Sequence, residues 1–498
     1  MTGETGRSAG QWAAAAALGV LTGISLWRRL LQLGRLSYDY DEGAYWQSLE
    51  SMRHGHRLFA EVFSSQPPAF LGGLSPIYNL LGGGIVAGRL PVMVGSLVAL
   101  VAVFLIGRDL AGTWTGLLAM ALVAFDPLYL ALSDRLQADM PSVIVGLIAV
   151  AVAAEAARRR SGTGVWVLAG VILGLSIMTK LLGVVFLVPV AWLAFSAEGG
   201  RWRRLGATGA GALGAVVLVM APYADQLSAF YGQAVGLHVT TRTSEPQSLG
   251  QKVQRIIDSY PQVVPALVAL VGCLAGAARR VGWVGMLVAW LAAALAVDLA
   301  QGPLFIHHLV VLVPPLCLLA GAAPGLVIGA FSSRHPGETS TPARVVVGAG
   351  VVLAVGLGLV AASSPLPPED PTAQPAITAI NRYVEPGVYV VTDQLFAAAW
   401  TGHPTAPILV DVSLARISAG ELSPAQVEAA TEASGARAIV FSTGRLTTLA
   451  GFQDWVRQRF RLVYDGGGGL QVWTLSPRSS GKLASVFGPR DEMRGPSR

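Results

Sequence analysis

The stretch RLPVMVGSLVALVAVFLIG, residues 89–107, decides the class of this chain, because Arg89 is its only charged residue. A helix of this length crosses the hydrocarbon core of a bilayer, which is about 30 Å thick. Similar apolar windows recur along the chain, so we expect a mainly α-helical, polytopic transmembrane bundle of about eleven spans. The windows are 11–27, 89–107, 112–131, 140–157, 164–179, 181–196, 205–222, 261–278, 282–299, 307–330 and 345–363.

The composition of the whole chain agrees with this class. Of its 498 residues 53% are hydrophobic and 13% are charged, against roughly 25% charged residues in soluble proteins. The net charge of +6 comes from short basic clusters between apolar runs, so it indicates membrane topology and not nucleic-acid binding. Cys273 and Cys317 both lie inside apolar runs, which excludes a disulfide framework. Only three of the 35 basic residues are lysines, which is typical of a high-GC bacterial genome.

The basic clusters also predict the orientation. With eleven spans, the clusters at 158–160, 201–204, 279–280 and 334–344 all fall on one side, which the positive-inside rule makes the cytoplasm. Arg28, Arg29 and Arg35 disagree, because they follow the first span on the outer side. We follow the four later clusters and expect a bacterial cytoplasmic-membrane protein with a cytoplasmic N-terminus. The first run lacks a convincing cleavage site and is expected to be a retained helix.

The outer face then carries the polar loops 28–88, 132–139 and 223–260. The first contains YDYDEGAYWQ, residues 38–47, where the adjacent carboxylates Asp41 and Glu42 precede Tyr45, Trp46 and Leu49 at helical spacing. This pattern predicts an amphipathic helix with aromatic residues at the membrane interface. A second interfacial helix is expected after the Pro-Pro pair at 67–68.

After the last predicted span, the sequence changes from long apolar runs to short alternating elements. Residues 364–376 are Pro-rich and indicate a linker, residues 377–477 indicate a small extracytoplasmic α/β domain, and the tail 478–498 is expected to be disordered. A helix is predicted from Ser423, with Gln426 completing a capping box, and a second one in FQDWVRQRF. The predicted strands are VYVVT, ILVDV, RAIVFS, FRLVYD and LQVWTL, with a glycine turn at 466–469 before the last.

Acids on the outer face are the candidates for chemistry. Asp41 lies before the predicted amphipathic helix and Asp139 before the span at 140–157, so each fits equally well as a helix N-cap, worth about 1 kcal/mol. A catalytic role is favoured because Asp41 and Asp139 lie on the same predicted outer face as Arg89 and Arg135. No other set of residues in the chain has catalytic spacing.

At this point the motifs resemble a known family. The ordered set DEGAY (41–45), QPP (66–68), GRLP (88–91), LQADMPS (136–142), GLSIMTKLLG (174–183) and HHLVVLVPP (307–315) is similar to the C-type membrane glycosyltransferases. The protein O-mannosyltransferase and lipid A aminoarabinose transferase group is the nearest branch. The resemblance covers roughly residues 20–330 and rests on several ordered motifs.

The resemblance implies an inverting transfer of a sugar from a polyprenyl-phosphate donor to an acceptor outside the cytoplasmic membrane. It assigns Asp41 as the general base on the acceptor, Glu42 as its neighbour, and Asp139 as the second acid that orients acceptor or base. Tyr45 and Arg135 are assigned to contacts with acceptor or sugar. The sugar is not identified, and the acceptor is an unidentified glycan, lipid or protein.

The chain departs from the family at the donor phosphate. Many relatives have lysine before the Pro-Pro pair, whereas this chain has Gln66, which donates a hydrogen bond but carries no charge. The cation must then come from elsewhere. The candidates for donor phosphate or lipid binding are Gln66 itself, Arg89, Lys180, Arg242, His307 and His308. Arg89 fits equally well as a snorkelling residue at a span end, and at most one of the adjacent histidines is expected to face the site.

No cofactor is expected to be required. A divalent metal is compatible with the acids and the paired histidines but is not favoured, because no ligand spacing demands it. The alternative function is a transporter or flippase of a lipid-linked substrate, which should show internal repeats and interrupted helices near the bilayer midplane. A receptor or assembly scaffold would leave the first loop's acids without a purpose.

Overall fold

A computed structural model describes the chain over residues 2–36, 39–244, 246–259, 263–278, 281–332, 356 and 369–475. The described residues divide into two compact units. The first, here called the helical unit, takes Met1–Arg35, Leu58–Ala60 and Ser64–Pro368. The second, here called the C-terminal unit, takes Leu36–Arg57, Glu61–Phe63 and Glu369–Arg498. Part of the first outer loop, which the sequence assigns to the membrane module, thus groups with the C-terminal residues.

Within the described residues, the secondary structure of the helical unit is entirely helical. They are α1 (Thr2–Leu30), α3 (Ala69–Leu80), α4 (Gly84–Ala111), α5 (Thr113–Ala124), α6 (Pro127–Leu132), α7 (Asp139–Arg158), α8 (Thr163–Thr179), α9 (Leu187–Ser196), α10 (Arg201–Met220), α11 (Leu227–Phe230), α12 (Leu237–Ser244), α13 (Leu249–Ser259), α14 (Val263–Ala278), α15 (Gly282–Ala300) and α16 (Val313–Ser332). Short 3-10 segments cover Leu181–Phe186, Ala221–Gln226 and Ile306–Leu312, and a π-helical turn covers Tyr231–Gly236.

Five helical stretches of the described chain are long and apolar enough to cross a membrane, and three shorter apolar helices accompany them. The long stretches are Gly84–Ala111, Asp139–Arg158, Arg201–Ser244, Gly282–Ala300 and Ile306–Val327. The predicted span at 345–363, apart from residue 356, and the basic clusters at 279–280 and 334–344 lie outside the described residues. The chain is a multi-pass membrane protein, and the number of eleven spans stays a prediction.

One predicted span is divided in the structure. The window 112–131 forms α5 and then α6, because Asp126 caps a new helix by accepting a hydrogen bond from the Tyr129 amide at 2.8 Å. Pro127 at the first position of α6 favours this restart, since its missing N–H would lack a partner there in any case. The buried aspartate therefore marks a break that hydropathy alone does not show.

The core of the helical unit depends on close helix contacts at glycines. A Cβ atom at Gly170 in α8 would meet the carbonyl of Thr208 in α10, and one at Gly211 would meet the carbonyl of Val167. These two positions let the backbones of α8 and α10 approach, as small residues do at helix interfaces in membranes.

The C-terminal unit contains a four-stranded sheet in the order β1-β2-β4-β3. Strands β1 and β2 are parallel, β2 and β4 are antiparallel, and β3 and β4 form a hairpin. The elements are α2 (Tyr40–Arg53), α17 (Ala373–Tyr383), β1 (Val390–Thr392), α18 (Leu395–Trp400), α19 (Leu414–Ser418), α20 (Pro424–Ala433), β2 (Ala438–Phe441), α21 (Phe452–Arg459), β3 (Phe460–Gly467) and β4 (Leu470–Leu475).

Most of the local predictions for this unit are confirmed. Ser423 and Gln426 form the expected capping box at the start of α20, α21 covers FQDWVRQR of the predicted helix, and the glycine turn joins β3 to β4. The strand predicted for ILVDV is wrong: Pro407 begins a 3-10 turn over Pro407–Leu409 instead. Helix α17 begins at Ala373, inside the predicted linker, and the tail 478–498 lies outside the described residues.

Helix α2 exists as predicted, but it does not present its aromatic residues to lipid. Trp46 is 5% exposed and makes edge-to-face contacts with Phe396 and Trp400 of α18. Gly43 allows this approach, because a Cβ atom there would meet the Phe396 amide. The membrane-interface interpretation of this helix is therefore wrong, since its apolar side is buried within the C-terminal unit.

Candidate active site

The centre of the candidate site is an ion pair inside the helical unit. The Lys180 ammonium donates to both carboxylate oxygens of Asp139, at 2.8 Å each. The Asp139 side chain is 2% exposed and the Lys180 side chain 10%. A buried pair of this kind is costly to desolvate, and removing either partner leaves an uncompensated charge. Ionisable groups in such a position in a membrane protein are functional candidates by default.

Local structure explains how the two side chains meet. Asp139 is the first residue of α7, whose N-cap is Ala138, so the capping alternative for Asp139 is wrong. Lys180 follows the last residue of α8 in an extended conformation, with φ −153° and ψ 138°. Ser142 and Ser176 tie the two helix ends together, since each hydroxyl donates to the other residue's carbonyl, at 3.0 and 2.8 Å.

Both adjacent histidines lie beside this pair. One ligand-type atom from each of Asp139, His307 and His308 lies within 4.8 Å of the others. The two histidine rings pack edge to face, with centroids 4.6 Å apart, in the 3-10 turn that precedes α16. The expectation that only one histidine faces the site is wrong. The 3-10 segment that holds both residues lies against α7, so both rings come close to Asp139 although adjacent side chains differ in direction.

Asp298 is a third acid that the sequence analysis did not single out. It lies near the end of α15, is fully buried, and is within electrostatic range of Asp139 and Lys180. The Gln301 amide donates to its Oδ1 at 3.3 Å, while its Oδ2 has no hydrogen-bond partner among the described residues. The sequence did contain a signal for Asp298, because an aspartate inside a predicted membrane span, here 282–299, is unusual.

Gln66 lies in a different hydrogen-bonded turn of the helical unit. Its side-chain amide is 3.3 Å from the Ser65 hydroxyl, and Ser64 donates to the Gln66 carbonyl at 3.0 Å. His238 of α12 contacts the Ser65 carbonyl at 3.1 Å. His238 is also within electrostatic range of Lys180, so this turn borders the region of the ion pair.

Arg89 has a structural role that explains its burial. Its guanidinium donates to the carbonyls of Leu33 and Arg35 at 2.9 and 2.7 Å, and to that of Gln32 at 3.4 Å. These carbonyls follow the end of α1, where backbone acceptors lack helical partners. The snorkelling alternative is therefore replaced by a capping role, and phosphate binding by Arg89 stays a prediction.

Two other predicted site residues, Arg242 and Arg135, are more exposed to solvent than the ion pair. Arg242 is exposed and its side chain packs over Gly302 in the segment between α15 and the 3-10 turn. Arg135 is half-buried in the turn between α6 and α7. The segment around Gly302 is held by Lys252, which donates to the Leu299 carbonyl at 2.8 Å, and by Arg255, which donates to the Leu304 carbonyl at 2.7 Å.

The remaining predicted residues are in the C-terminal unit, on α2. Asp39, not Asp41, caps this helix by accepting the Asp41 amide at 3.0 Å. Asp41 is half-buried and Glu42 fully buried in the first helical turn, where the helix dipole favours negative charge. Tyr45 is buried in the same helix.

Tyr40, directly before Asp41, is fixed in the C-terminal unit. Its hydroxyl donates to Asp411 at 3.3 Å and accepts from the Val412 amide at 2.6 Å, and the Arg445 guanidinium lies 4.1 Å from the ring centroid. Burial raises the pKa of Tyr40 well above its ordinary value, so the phenol stays neutral. These contacts of Tyr40 anchor the start of α2 within the C-terminal unit.

Comparisons with known proteins agree with this architecture. Residues 65–224 match the family model of dolichyl-phosphate-mannose-protein mannosyltransferases. ArnT from Cupriavidus metallidurans, solved bound to undecaprenyl phosphate, matches 97% of this chain and 100% of its own, with a TM-score of 0.64 and 16% identity. The chain has the fold of a C-type glycosyltransferase.

Two further solved structures share this fold. The archaeal oligosaccharyltransferase AglB from Archaeoglobus fulgidus, in complex with an inhibitory peptide and a dolichol-phosphate, matches 94% of this chain and 75% of its own, with a TM-score of 0.54 and 13% identity. The arabinofuranosyltransferase AftD from Mycobacteria matches 92% and 41%, with a TM-score of 0.51 and 15% identity. No curated protein matches the chain by sequence. The predicted C-type resemblance is confirmed at the level of the fold.

Proposed function

We propose that this enzyme transfers a sugar from a polyprenyl-phosphate-linked donor to an acceptor, with inversion at the anomeric carbon. The observation that carries the proposal is the buried Lys180–Asp139 pair with His307 and His308 beside it. The matched family region, 65–224, includes both members of the pair. The ArnT and AglB structures hold polyprenyl phosphates, which supports a lipid phosphate as the donor's leaving group.

Lys180 is proposed as the cation for the donor phosphate. Gln66 cannot neutralise a phosphate, Arg89 donates to carbonyls after α1, and Arg242 is exposed. Lys180 carries a compact charge on a flexible stem, and its buried setting strengthens an electrostatic contact with an anion. Asp139 holds the ammonium in place until the phosphate arrives.

The proposed reaction is a single displacement. An acceptor oxygen or nitrogen attacks the anomeric carbon while the bond from that carbon to the phosphate oxygen breaks, and the phosphate leaves with the electron pair. Asp41 accepts the proton that the acceptor loses. Because the phosphate is already a good leaving group, a base and a cation are sufficient, and the base contributes about 10² to 10⁴ in rate.

Asp41 is proposed as that base because its helix already has another cap. Asp39 supplies the N-cap of α2, so a structural need for capping does not account for a carboxylate at position 41. The reaction is proposed to occur on the outer face of a bacterial cytoplasmic membrane, with the C-terminal unit outside.

The test is transfer of a radiolabelled sugar from its polyprenyl phosphate in membranes that contain the full chain. Asp41→Asn should lower the rate about 10²-fold or more at unchanged protein level. Glu50→Gln, a change of the same chemistry on the same helix, should keep the wild-type rate. Wild-type activity in Asp41→Asn would overturn the assignment. If the sugar crosses the membrane without leaving its lipid, the enzyme is a flippase instead.

A further inference from the structure

The turn between α9 and α10 carries exposed aromatic and basic side chains that are not part of the candidate active site. Arg201, Trp202 and Arg203 begin α10 and are all exposed, Trp202 at 72%, and Phe195 near the end of α9 is exposed as well. We propose that Arg201, Trp202 and Phe195 form a binding surface for an anionic phospholipid. Arg201 contacts the phosphate group, and the two rings pack against the start of the acyl chains.

The shape of this turn is fixed by a different arginine. Arg204 is buried, and its guanidinium donates to the carbonyls of Ala194 and Glu198 at 2.9 Å each and to that of Ala197. These carbonyls belong to the last turn of α9 and the residues after it, where backbone acceptors lack helical partners. The fold therefore accounts for Arg204, whereas Arg201 and Arg203 in the same turn of helix remain exposed.

Arg201 lies against the two aromatic rings. Its guanidinium carbon is 5.2 Å from the centroid of the Phe195 ring and 5.9 Å from that of the Trp202 ring. The rings themselves pack edge to face, with centroids 6.3 Å apart. Because the faces of aromatic rings attract a guanidinium, they hold this one beside an apolar surface. The planar fork of N–H donors on an arginine suits the oxygens of a phosphate.

The charges around the turn favour an anion. Glu198, the acid of the turn, is paired with Arg160 at 2.7 Å. Neither Arg201 nor Arg203 forms an ion pair with an acid in the described part of the chain. Arg160, Arg201, Arg203 and Arg204 against Glu198 give four positive charges and one negative charge. A zwitterionic headgroup would bring a further cation, which this cluster repels, so an anionic headgroup is the better partner.

The helices that meet at this turn extend the surface along the membrane. Arg201–Ser244 is long and apolar enough to cross a membrane, and Leu181–Ser196 is a shorter apolar stretch. Leu213 and Val217 of α10 are exposed and follow Trp202 by about three and four helical turns, so all three lie on one face. In a membrane such a face contacts acyl chains. A partner that fits both the cations and this face carries a phosphate and apolar chains, as a phospholipid does.

The test uses the full chain in phosphatidylcholine vesicles that contain a minor fraction of phosphatidylglycerol. One of the two lipids carries brominated acyl chains, which quench tryptophan fluorescence on contact. The part of the quenching that Trp202→Phe removes belongs to Trp202. For this part, brominated phosphatidylglycerol should be at least about fivefold more effective per lipid molecule than brominated phosphatidylcholine. Arg201→Gln should remove most of this preference, and added salt should lower it in the wild type.

Two further variants keep the result unambiguous. Arg201→Lys keeps the charge, guards against a misfolded turn in Arg201→Gln, and should keep most of the preference. Arg461→Gln is the matched control, because Arg461 is an exposed arginine of β3 in the C-terminal unit and should leave the preference unchanged. The proposal is overturned if the two brominated lipids quench Trp202 equally in the wild type. It is equally overturned if Arg201→Gln keeps the full preference or if Arg201→Lys loses it.

A competition experiment separates the lipid from its phosphate alone. Inorganic phosphate, compared with chloride at equal ionic strength, should not displace phosphatidylglycerol from Trp202, because it has no apolar surface to bury against α10. If inorganic phosphate abolishes the preference where chloride does not, the turn binds a free phosphate group and the assignment to a lipid is wrong.

Discussion

Two acids that begin helices have contrasting surroundings in the two units. Asp139 is the first residue of α7 and is paired with Lys180, 41 residues away, inside the helical unit. Asp41 is in the first turn of α2 in the C-terminal unit, next to Asp39, which caps the helix. In neither case is the acid itself the cap, although both fitted that role from the sequence.

The contrast shows that a shift of one or two residues decides what a helix-start acid does. Ala138 occupies the cap position of α7 without a side-chain hydrogen bond, so the α7 N-terminus gains its charge complement from Asp139 inside the first turn. In α2 the cap is supplied locally, two residues earlier. The charge of Asp139, which is buried, is compensated by a cation far away in the sequence.

The largest effect is expected from breaking the ion pair of the helical unit. Lys180→Met should destabilise the protein by about 3–5 kcal/mol, because it leaves the buried Asp139 carboxylate without its cation. The double variant Asp139→Asn/Lys180→Met removes both charges and should regain much of this loss. The free energy of unfolding in detergent, measured for the two single variants and the double variant, gives the coupling between the residues.

Asp41→Asn is the comparison variant for that cycle. It should lower the transfer rate about 10²-fold or more, as described above, and leave the unfolding free energy close to that of the wild type. Additive effects of Asp139→Asn and Lys180→Met would contradict the paired description of Asp139.

A smaller effect is expected from the contact that places α2. Gly43→Ala inserts a methyl group against the Phe396 amide and should destabilise the C-terminal unit by about 1–3 kcal/mol. Gly73→Ala in α3 is the matched control, because a Cβ atom there meets nothing within 4 Å. In that open helical position alanine should be neutral or stabilising by up to about 1 kcal/mol. Equal effects of the two substitutions, measured by thermal unfolding, would show that α2 does not depend on this close approach.

The smallest effect is expected at the cap of α2. Asp39→Ala removes the acceptor for the Asp41 amide and should cost about 1 kcal/mol in the stability of the C-terminal unit. Glu50→Ala, near the other end of the same helix, should cost less, since alanine is a good helix former. Hydrogen exchange of the first-turn amides of α2 measures the difference. Unchanged exchange in Asp39→Ala would assign the cap to another residue and reopen the capping role of Asp41.

Much of the candidate site was predictable because its residues stand out from apolar surroundings. Lys180 between two apolar runs and Asp139 before a span were both identified from local sequence. The position of both His307 and His308 beside Asp139 was not predicted, since it depends on how the segment before α16 packs against α7. Asp298 was missed because the window 282–299 was treated only as a span.

The same division applies to the fold. Capping residues predicted α20, whose start depends on its own neighbours, while the strand expected at ILVDV did not form because Pro407 begins a turn. The aromatic residues of α2 were predicted to face lipid, yet Trp46 packs on α18, more than 300 residues later in the chain. Periodicity identifies the apolar side of a helix and not the surface that covers it.

The sequence by itself determined the membrane class, the C-type resemblance, and which rare charged residues were worth attention. Those conclusions depend on composition and short-range order, which each segment carries alone. Only the tertiary structure decided that Lys180 neutralises Asp139, that both histidines adjoin them, and that α2 belongs to the C-terminal unit. Such pairings arise because a buried charge or apolar surface must find a partner in space, wherever in the chain that partner lies.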